Sequence, residues 1–255
     1  MARPRSFWWL ASCILFLPFP LRAAAPSATF SAIFPAVLPD TLAQRLSACT
    51  ACHAPTGQTA GTAYFPRIGG KPAGYLYQQL TNFRDGRRQS PVMTAMVAHL
   101  PDAYLHEIAD YFAAQHAPMV PMVPMVPILP MVPTSSDRTS AALLERGRVL
   151  ARQGDPARAI PACVACHGQA LAGTLPAIPG LLGLPRAYVN AQFGAWRNRT
   201  RRAYAPDCMA VIAQRLSLDD INAVSTWLER QPYPAEARPA PALTGPLPLP
   251  CGSVP

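Results

Sequence analysis

The sequence predicts an all-α protein of two similar domains joined by a proline-rich linker. Its 255 residues favour two small domains over one. Half of the residues are apolar and 14% are charged, so folded cores are expected and a disordered chain is not. The two halves repeat the same motifs in the same order, and within each half the apolar residues recur at helical spacing.

Composition divides the chain into five segments. We expect a signal peptide at 1–25, a first domain at 40–117, a linker at 118–139, a second domain at 140–232 and a proline-rich tail at 233–255. The first part of the linker reads PMVPMVPMVPILPMVP, a run that favours an extended polyproline II spacer. The length of this spacer leaves open whether the two domains contact each other.

The first residues are typical of an export signal. Arg3 and Arg5 precede a short apolar stretch from Phe7 to Leu21, and a small-residue cleavage site follows at 23–25. A membrane anchor is the alternative, and it is disfavoured because the apolar run is short and contains prolines. We therefore predict a periplasmic protein from which the signal peptide is cleaved.

The formal net charge is +9 and comes almost entirely from arginine, because Lys71 is the only lysine. Part of this excess lies in the signal peptide, so the remaining chain is only modestly basic. The arginines do not cluster with interleaved aromatic residues, as they do in proteins that follow a phosphate backbone. No nucleic-acid partner is expected.

Four of the seven cysteines form two copies of C-x-x-C-H, at Cys49, Cys52 and His53 and at Cys163, Cys166 and His167. This motif is the attachment signature of c-type haem: two thiols form thioethers to the vinyl groups, and the histidine binds the iron. A zinc site built from both cysteine pairs, a redox-active dithiol and a chance match are the alternatives. Two copies behind an export signal favour two covalently attached haem c groups.

The residues after the two motifs repeat in the same register. Each half has a P-x-x-x-G segment, beginning at Pro66 and at Pro179, and then a helix led by Tyr75 or Tyr188. We expect the carbonyls of the two prolines to accept a hydrogen bond from the haem-binding histidines. Each of these helices also carries arginines, which either bind haem propionates or form a solvated face; they are Arg84, Arg88, Arg197 and Arg201.

The repeat also supplies a methionine to each half. Met93 precedes Leu100 by seven residues, and Met209 precedes Leu216 by the same interval, so the register selects Met93 over Met96. We predict axial His/Met ligation of both irons, which raises the reduction potential and leaves no open coordination position. Closing helices follow at about 101–115 and 217–231, and we expect each to pack on the helix that carries C-x-x-C-H.

As a set, these residues resemble the dihaem cytochromes c of bacteria, of the cytochrome c4 type, over roughly residues 40 to 117 and 140 to 232. The resemblance implies two class I cytochrome c domains in tandem, with axial ligands at His53 and Met93 and at His167 and Met209. It also implies a periplasmic electron carrier of a respiratory chain. Its partners would be a donor dehydrogenase or cytochrome complex and an acceptor oxidase or reductase.

Two features depart from this family pattern. One is the linker, whose methionines and valines leave peripheral association with a membrane open. The other is the pair Cys208 and Cys251, which most simply form a disulfide in an oxidising compartment. The alternative is that Cys208 is itself an iron ligand, which would favour a dihaem oxidoreductase such as a thiosulfate dehydrogenase. A dihaem peroxidase and the cytochrome subunit of a dehydrogenase complex are further alternatives to a free carrier.

Overall fold

The computed structural model describes residues 40–54, 65–115, 135–232, 234 and 237–254, which belong to one compact unit. The signal peptide and most of the linker lie outside these residues. The first half contributes helices α1 (Leu42–Arg45), α2 (Ser47–His53), α3 (Ala73–Arg84), α4 (Pro91–Val97) and α5 (Asp102–Ala113). The second half contributes α6 (Ser135–Arg152), α7 (Val164–His167), α8 (Arg186–Arg197), α9 (Cys208–Arg215) and α10 (Leu218–Glu229). The only strands within the described ranges are β1 (Gly173–Thr174) and β2 (Ile178–Pro179), which pair antiparallel.

The helical order α3, α4, α5 recurs as α8, α9, α10, which confirms the all-α fold with an internal repeat. Both closing helices lie within the expected ranges, and each is twelve residues long. Their starts have local causes: Pro101 precedes α5, and Ser217 forms a capping box with Asp220 at the start of α10. Helix α6 begins at Ser135, inside the segment assigned to the linker.

The expectation that each closing helix packs on the helix carrying C-x-x-C-H was wrong. Helix α10 packs mainly against α6 and α8, and α5 packs against α3. The motif helix α7 is only four residues long, so it offers little surface to pack against. Gly147 of α6 makes the close crossing with α10 feasible, because a Cβ there would collide with the carbonyl oxygen of Ala223.

The core of each half is formed by the apolar faces of these helices. Leu105, Ile108 and Phe112 are buried in the first half. Ile221, Val224, Trp227 and Leu228 are buried in the second. At about 25 cal/mol per Å² of apolar surface, burial of these faces is the main driving force for the packing of the helices.

The two halves contact each other directly, so the long linker does not hold them apart. The amide of Gly74 in α3 donates to the carbonyl of Pro176 at 3.2 Å, and a Cβ at Gly74 would lie only 2.8 Å from the same oxygen. Two further backbone hydrogen bonds cross the contact, from Gln89 to Thr200 at 2.8 Å and from Arg202 to Arg87 at 2.7 Å.

The C-terminal tail is ordered against the second half. Ala240 exchanges backbone hydrogen bonds with Gly173 and Leu175, both at 2.8 Å. Cys251 is joined to Cys208 by a disulfide with an S–S distance of 2.04 Å. Helices in the described ranges are all too short or too polar to cross a membrane.

Candidate haem sites

An apolar cavity adjoins the C-x-x-C-H motif of each half. The first, of about 500 Å³, is lined by Cys49, Cys52, His53 and Met93. The second, of about 180 Å³, is lined by Cys163, Cys166, His167 and Met209. The structure therefore brings one C-x-x-C-H motif and the methionine selected by the repeat to the same cavity in each half.

His167 is oriented for metal binding. Its Nδ1 lies 2.7 Å from the carbonyl oxygen of Pro179, and because a carbonyl only accepts, Nδ1 carries the proton. Burial lowers the pKa of His167, the Pro179 carbonyl partly opposes this, and the charge of Lys71 lowers it further. The ring is thus held neutral, with the lone pair of Nε2 available to iron.

His53 is less firmly held. Burial lowers its pKa, and the carbonyl of Pro66 partly opposes this. The Pro66 carbonyl thus lies near enough to raise the pKa of the ring. It does not complete a hydrogen bond, because Nδ1 of His53 has no hydrogen-bond partner among the described residues. The proline carbonyl therefore makes the expected hydrogen bond in the second site and only approaches the ring in the first.

Capping residues place both methionines in the first turn of a short helix. Ser90 caps α4 and accepts from the amide of Met93 at 3.4 Å, while Asp207 caps α9 and accepts from the amide of Ala210 at 3.0 Å. Met93 is half-buried against the first core, whereas Met96 is 40% exposed although it also lines the cavity. Met93 is therefore better placed than Met96 to present its sulfur to the cavity.

The motif cysteines are not arranged for thiolate chemistry. Burial raises the pKa of Cys163 to about 11 and also raises those of Cys49 and Cys166. A reactive dithiol requires a lowered pKa, so the redox-dithiol alternative is disfavoured. No group of three metal-binding side chains occurs in the described part of the chain, so the two cysteine pairs do not combine into a zinc site.

Three cations form a wall between the cavities: Lys71 and Arg201 line both of them, and Arg88 lines the first. Arg88 donates to Gln79, Gln192 and Tyr188, and Arg201 donates to Gln79, Gln192 and Tyr75. The Nζ of Lys71 donates to the carbonyl of Gly180 at 3.0 Å. Within the described residues, no carboxylate forms an ion pair with any of the three.

Buried positive charges without anionic partners are costly. Burial lowers the pKa of Lys71 well below its usual value, and Arg67 and Arg201 add to this effect. Burial and the neighbouring Arg88 likewise lower the pKa of Arg201. The negatively charged propionates of haem fit this wall, because they would supply the missing counter-charge.

The other two arginines of the repeat have structural roles. Arg84 pairs with Asp102 at 2.7 Å and donates to the carbonyl of Leu100. Arg197 donates to the carbonyls of Ala213 and Leu216. Both bind the end of the methionine-bearing segment, at matching positions of the repeat, and neither faces a cavity.

Lys71 is a residue of the cavity wall that sequence reasoning missed. It lies at a helix-free position between the P-x-x-x-G segment and α3, with no motif around it. The one signal in the sequence was that Lys71 is the only lysine, while every other basic side chain of this kind is an arginine.

Comparison with known proteins agrees with the geometry. No family model matches the chain. It is 34% identical over 220 residues to the "thiosulfate dehydrogenase electron acceptor" of Thiomonas intermedia, covering 84% of this chain and 93% of that one. It is 30% identical over 187 residues to cytochrome c4 of Pseudomonas aeruginosa, covering 72% and 84%. The reduced cytochrome c4 from Pseudomonas stutzeri superposes with a TM-score of 0.59 at 28% identity, covering 73% of this chain and 95% of that structure.

The helical repeat and the paired C-x-x-C-H cavities define a dihaem class I cytochrome c with two covalently attached haems. More particularly, the chain belongs to the cytochrome c4 family, and it carries electrons between redox partners.

Proposed function

We propose that this protein is a one-electron carrier that accepts electrons from a thiosulfate dehydrogenase outside the cytoplasm. The observation that supports the donor is the similarity to the electron acceptor of Thiomonas intermedia, which extends over almost the whole length of that relative. The N-terminal segment supports the location, because it has the charge and apolar pattern of a cleaved export signal.

The proposed axial ligands are His53 and Met93 for the first iron and His167 and Met209 for the second. Each pair lines one cavity together with the two cysteines that would hold the haem covalently. The haem supplies a one-electron ferric/ferrous couple when bound. The chain supplies a neutral imidazole, a thioether and an apolar enclosure, and of these the thioether and the enclosure favour the ferrous state.

We propose a carrier rather than an enzyme because, among the described residues, none is placed to open a coordination position. The sulfur of Cys208 is engaged in the disulfide with Cys251, which leaves no thiolate there to replace Met209. His106 stacks on Tyr77 with ring centroids 3.7 Å apart, which makes it a packing residue rather than a distal group.

The domain limits of 40–117 and 140–232 remain our proposal, with the second extended to the start of α6 at Ser135. The closing helix α10 packs along α6, so α6 belongs with the second domain.

Anaerobic mixing with a purified thiosulfate dehydrogenase tests the proposed donor. When thiosulfate and a catalytic amount of the dehydrogenase are added, both haems of the carrier should become reduced, which their visible absorption reports. Thiosulfate without the dehydrogenase should leave the carrier oxidised. Turnover of thiosulfate by this protein alone would make it an enzyme, and no reduction in the complete mixture would point to another donor.

A further inference from the structure

The C-terminal tail forms part of the second haem site. Six of its residues line the same cavity as Met209 and His167; they are Leu247, Pro248, Leu249, Cys251, Ser253 and Val254. The disulfide partner of Cys251 is Cys208, the residue directly before the proposed ligand Met209. The tail is thus fixed on the methionine side of this site.

The tail is suited by its sequence to cover an apolar opening. Leu247 and Leu249 are half-buried, whereas Pro248 and Pro250 are exposed, as expected for an extended segment with one apolar face. Arg238 is the only charged residue of the described tail segment 237–254. The segment therefore places its leucines against the cavity, while both prolines stay exposed and Pro248 also borders the cavity.

Contacts besides the disulfide hold the tail in place. The amide of Gly252 donates to the carbonyl of Pro206 at 2.9 Å. The side chain of Gln78, in α3 of the first half, donates to the carbonyl of Ser253 at 2.8 Å. The end of the tail is thus attached to both halves of the molecule.

The first haem site lacks this covering among the described residues. By the register that aligns Met93 with Met209, Val92 occupies the position of Cys208. Val92 is 56% exposed, so the surface beside Met93 is open at the point where the second half carries its tail. The two halves of the repeat therefore differ at this position: the second half has a cysteine that holds the tail, and the first half has an exposed valine.

We propose that the tail is a disulfide-anchored cap that closes the methionine side of the second haem site to small solutes and to other proteins. The first site is then the one through which electrons are exchanged with partners, and the second exchanges them with the first. This assignment of partner exchange rests on the carrier role proposed above, whereas the cap itself does not.

Imidazole, which competes with methionine for ferric haem, tests the cap without any partner protein. In the wild-type holoprotein we expect imidazole to bind the second haem more slowly than the first, as resolved by haem-specific NMR signals. The Cys208→Ala/Cys251→Ala variant should bind imidazole at the second haem at least about tenfold faster, since the cap then opens more often. Binding at the first haem should not change, and the reduction potential of the second haem should fall as water gains access.

A second variant keeps the disulfide and removes the apolar contacts. Leu247→Ala/Leu249→Ala should accelerate imidazole binding at the second haem in the same direction, and it replaces the cysteine variant if that one does not fold. Val92→Ala, at the position matching Cys208, is the control and should leave the second haem unchanged. Equal binding rates at the two wild-type haems, or unchanged rates in both tail variants, would overturn the cap. Failure to accept electrons from thiosulfate dehydrogenase would contradict only the proposed donor.

Discussion

Arg88 and Arg201 face each other as backbone bridge partners, and each guanidinium binds the tyrosine of the opposite half. Arg88 donates to the hydroxyl of Tyr188 at 3.2 Å, and Arg201 donates to that of Tyr75 at 3.4 Å. These four residues occupy equivalent positions of the repeat, so the exchange is reciprocal. Each half therefore completes the wall of the other half's haem cavity.

Arg201→Gln should lower both the free energy of unfolding and the reduction potentials of the two haems. The substitution removes charged hydrogen bonds to Gln79, Gln192 and Tyr75, which should lower the free energy of unfolding by about 2 kcal/mol. Loss of a positive charge near both haems favours the ferric state, so both reduction potentials should fall. Urea unfolding and spectroelectrochemistry measure the two effects. Arg230→Gln, at an exposed position, should change neither quantity, and an unaltered potential in Arg201→Gln would show that the wall does not act on the haems.

Lys71 offers a chemical probe of the contact between the halves. Because it is 5% exposed and its Nζ binds the carbonyl of Gly180 in the second half, an amine-acylating reagent should not modify it in the native holoprotein. Modification should occur after denaturation, and it should accelerate in Arg201→Gln if the halves separate more often. Peptide mass spectrometry detects the adduct at this single lysine. Rapid labelling of the native protein would mean that the contact opens readily.

The local part of this architecture could be predicted from the sequence, and the part made between the halves could not. The C-x-x-C-H motifs and the Tyr-led helices follow from spacing and from the internal repeat, which are visible along the chain. The choice of Met93 over Met96 as a ligand rests on the same repeat and stays a prediction. The shared wall depends on contacts such as that of Lys71 with Gly180, between segments far apart in sequence, and no local pattern marks them. The packing of α10 on α6 was also missed. The sequence pattern did not separate the four-residue helix α7, which carries C-x-x-C-H, from the longer helix α6 that precedes it.

Substitution of the methionines tests the proposed ligands. The weak red absorption band of methionine-bound ferric haem should fall to about half in Met93→Ala and in Met209→Ala, because each iron contributes one such bond. Met96→Ala is the matched control and should retain the whole band, since Met96 is 40% exposed. A fall to half in Met96→Ala, with the whole band retained in Met93→Ala, would exchange the assignment within the first site.

Asp220 should make stability depend on pH in the acid range. Burial alone would raise its pKa, but hydrogen bonds from Arg158, the Ser217 backbone and Arg146 outweigh burial and hold the pKa well below its usual value. The stabilisation is therefore present above the unfolded pKa of about 3.9 and is lost as the pH falls through the lower folded value. Asp220→Asn should cost about 2 kcal/mol at neutral pH, because both arginine partners are partly exposed.

Unfolding at a series of pH values checks this dependence. The difference between wild type and Asp220→Asn should be constant at neutral pH and should narrow only below about pH 4. The neighbouring Asp219→Asn, at an exposed position, is the control and should have little effect. A difference that is already lost near neutral pH would contradict the lowered pKa.

The contact at Gly74 has a consequence for the speed of electron exchange within the molecule. Electron tunnelling slows steeply with each added ångström between cofactors, and the approach of α3 to the Pro176 carbonyl depends on the absence of a side chain at Gly74. A single methyl group at this position would meet that oxygen at 2.8 Å and press the halves apart. The separation of the halves, and with it the distance that an electron would tunnel between bound haems, thus depends in part on a backbone contact that includes none of the proposed haem ligands.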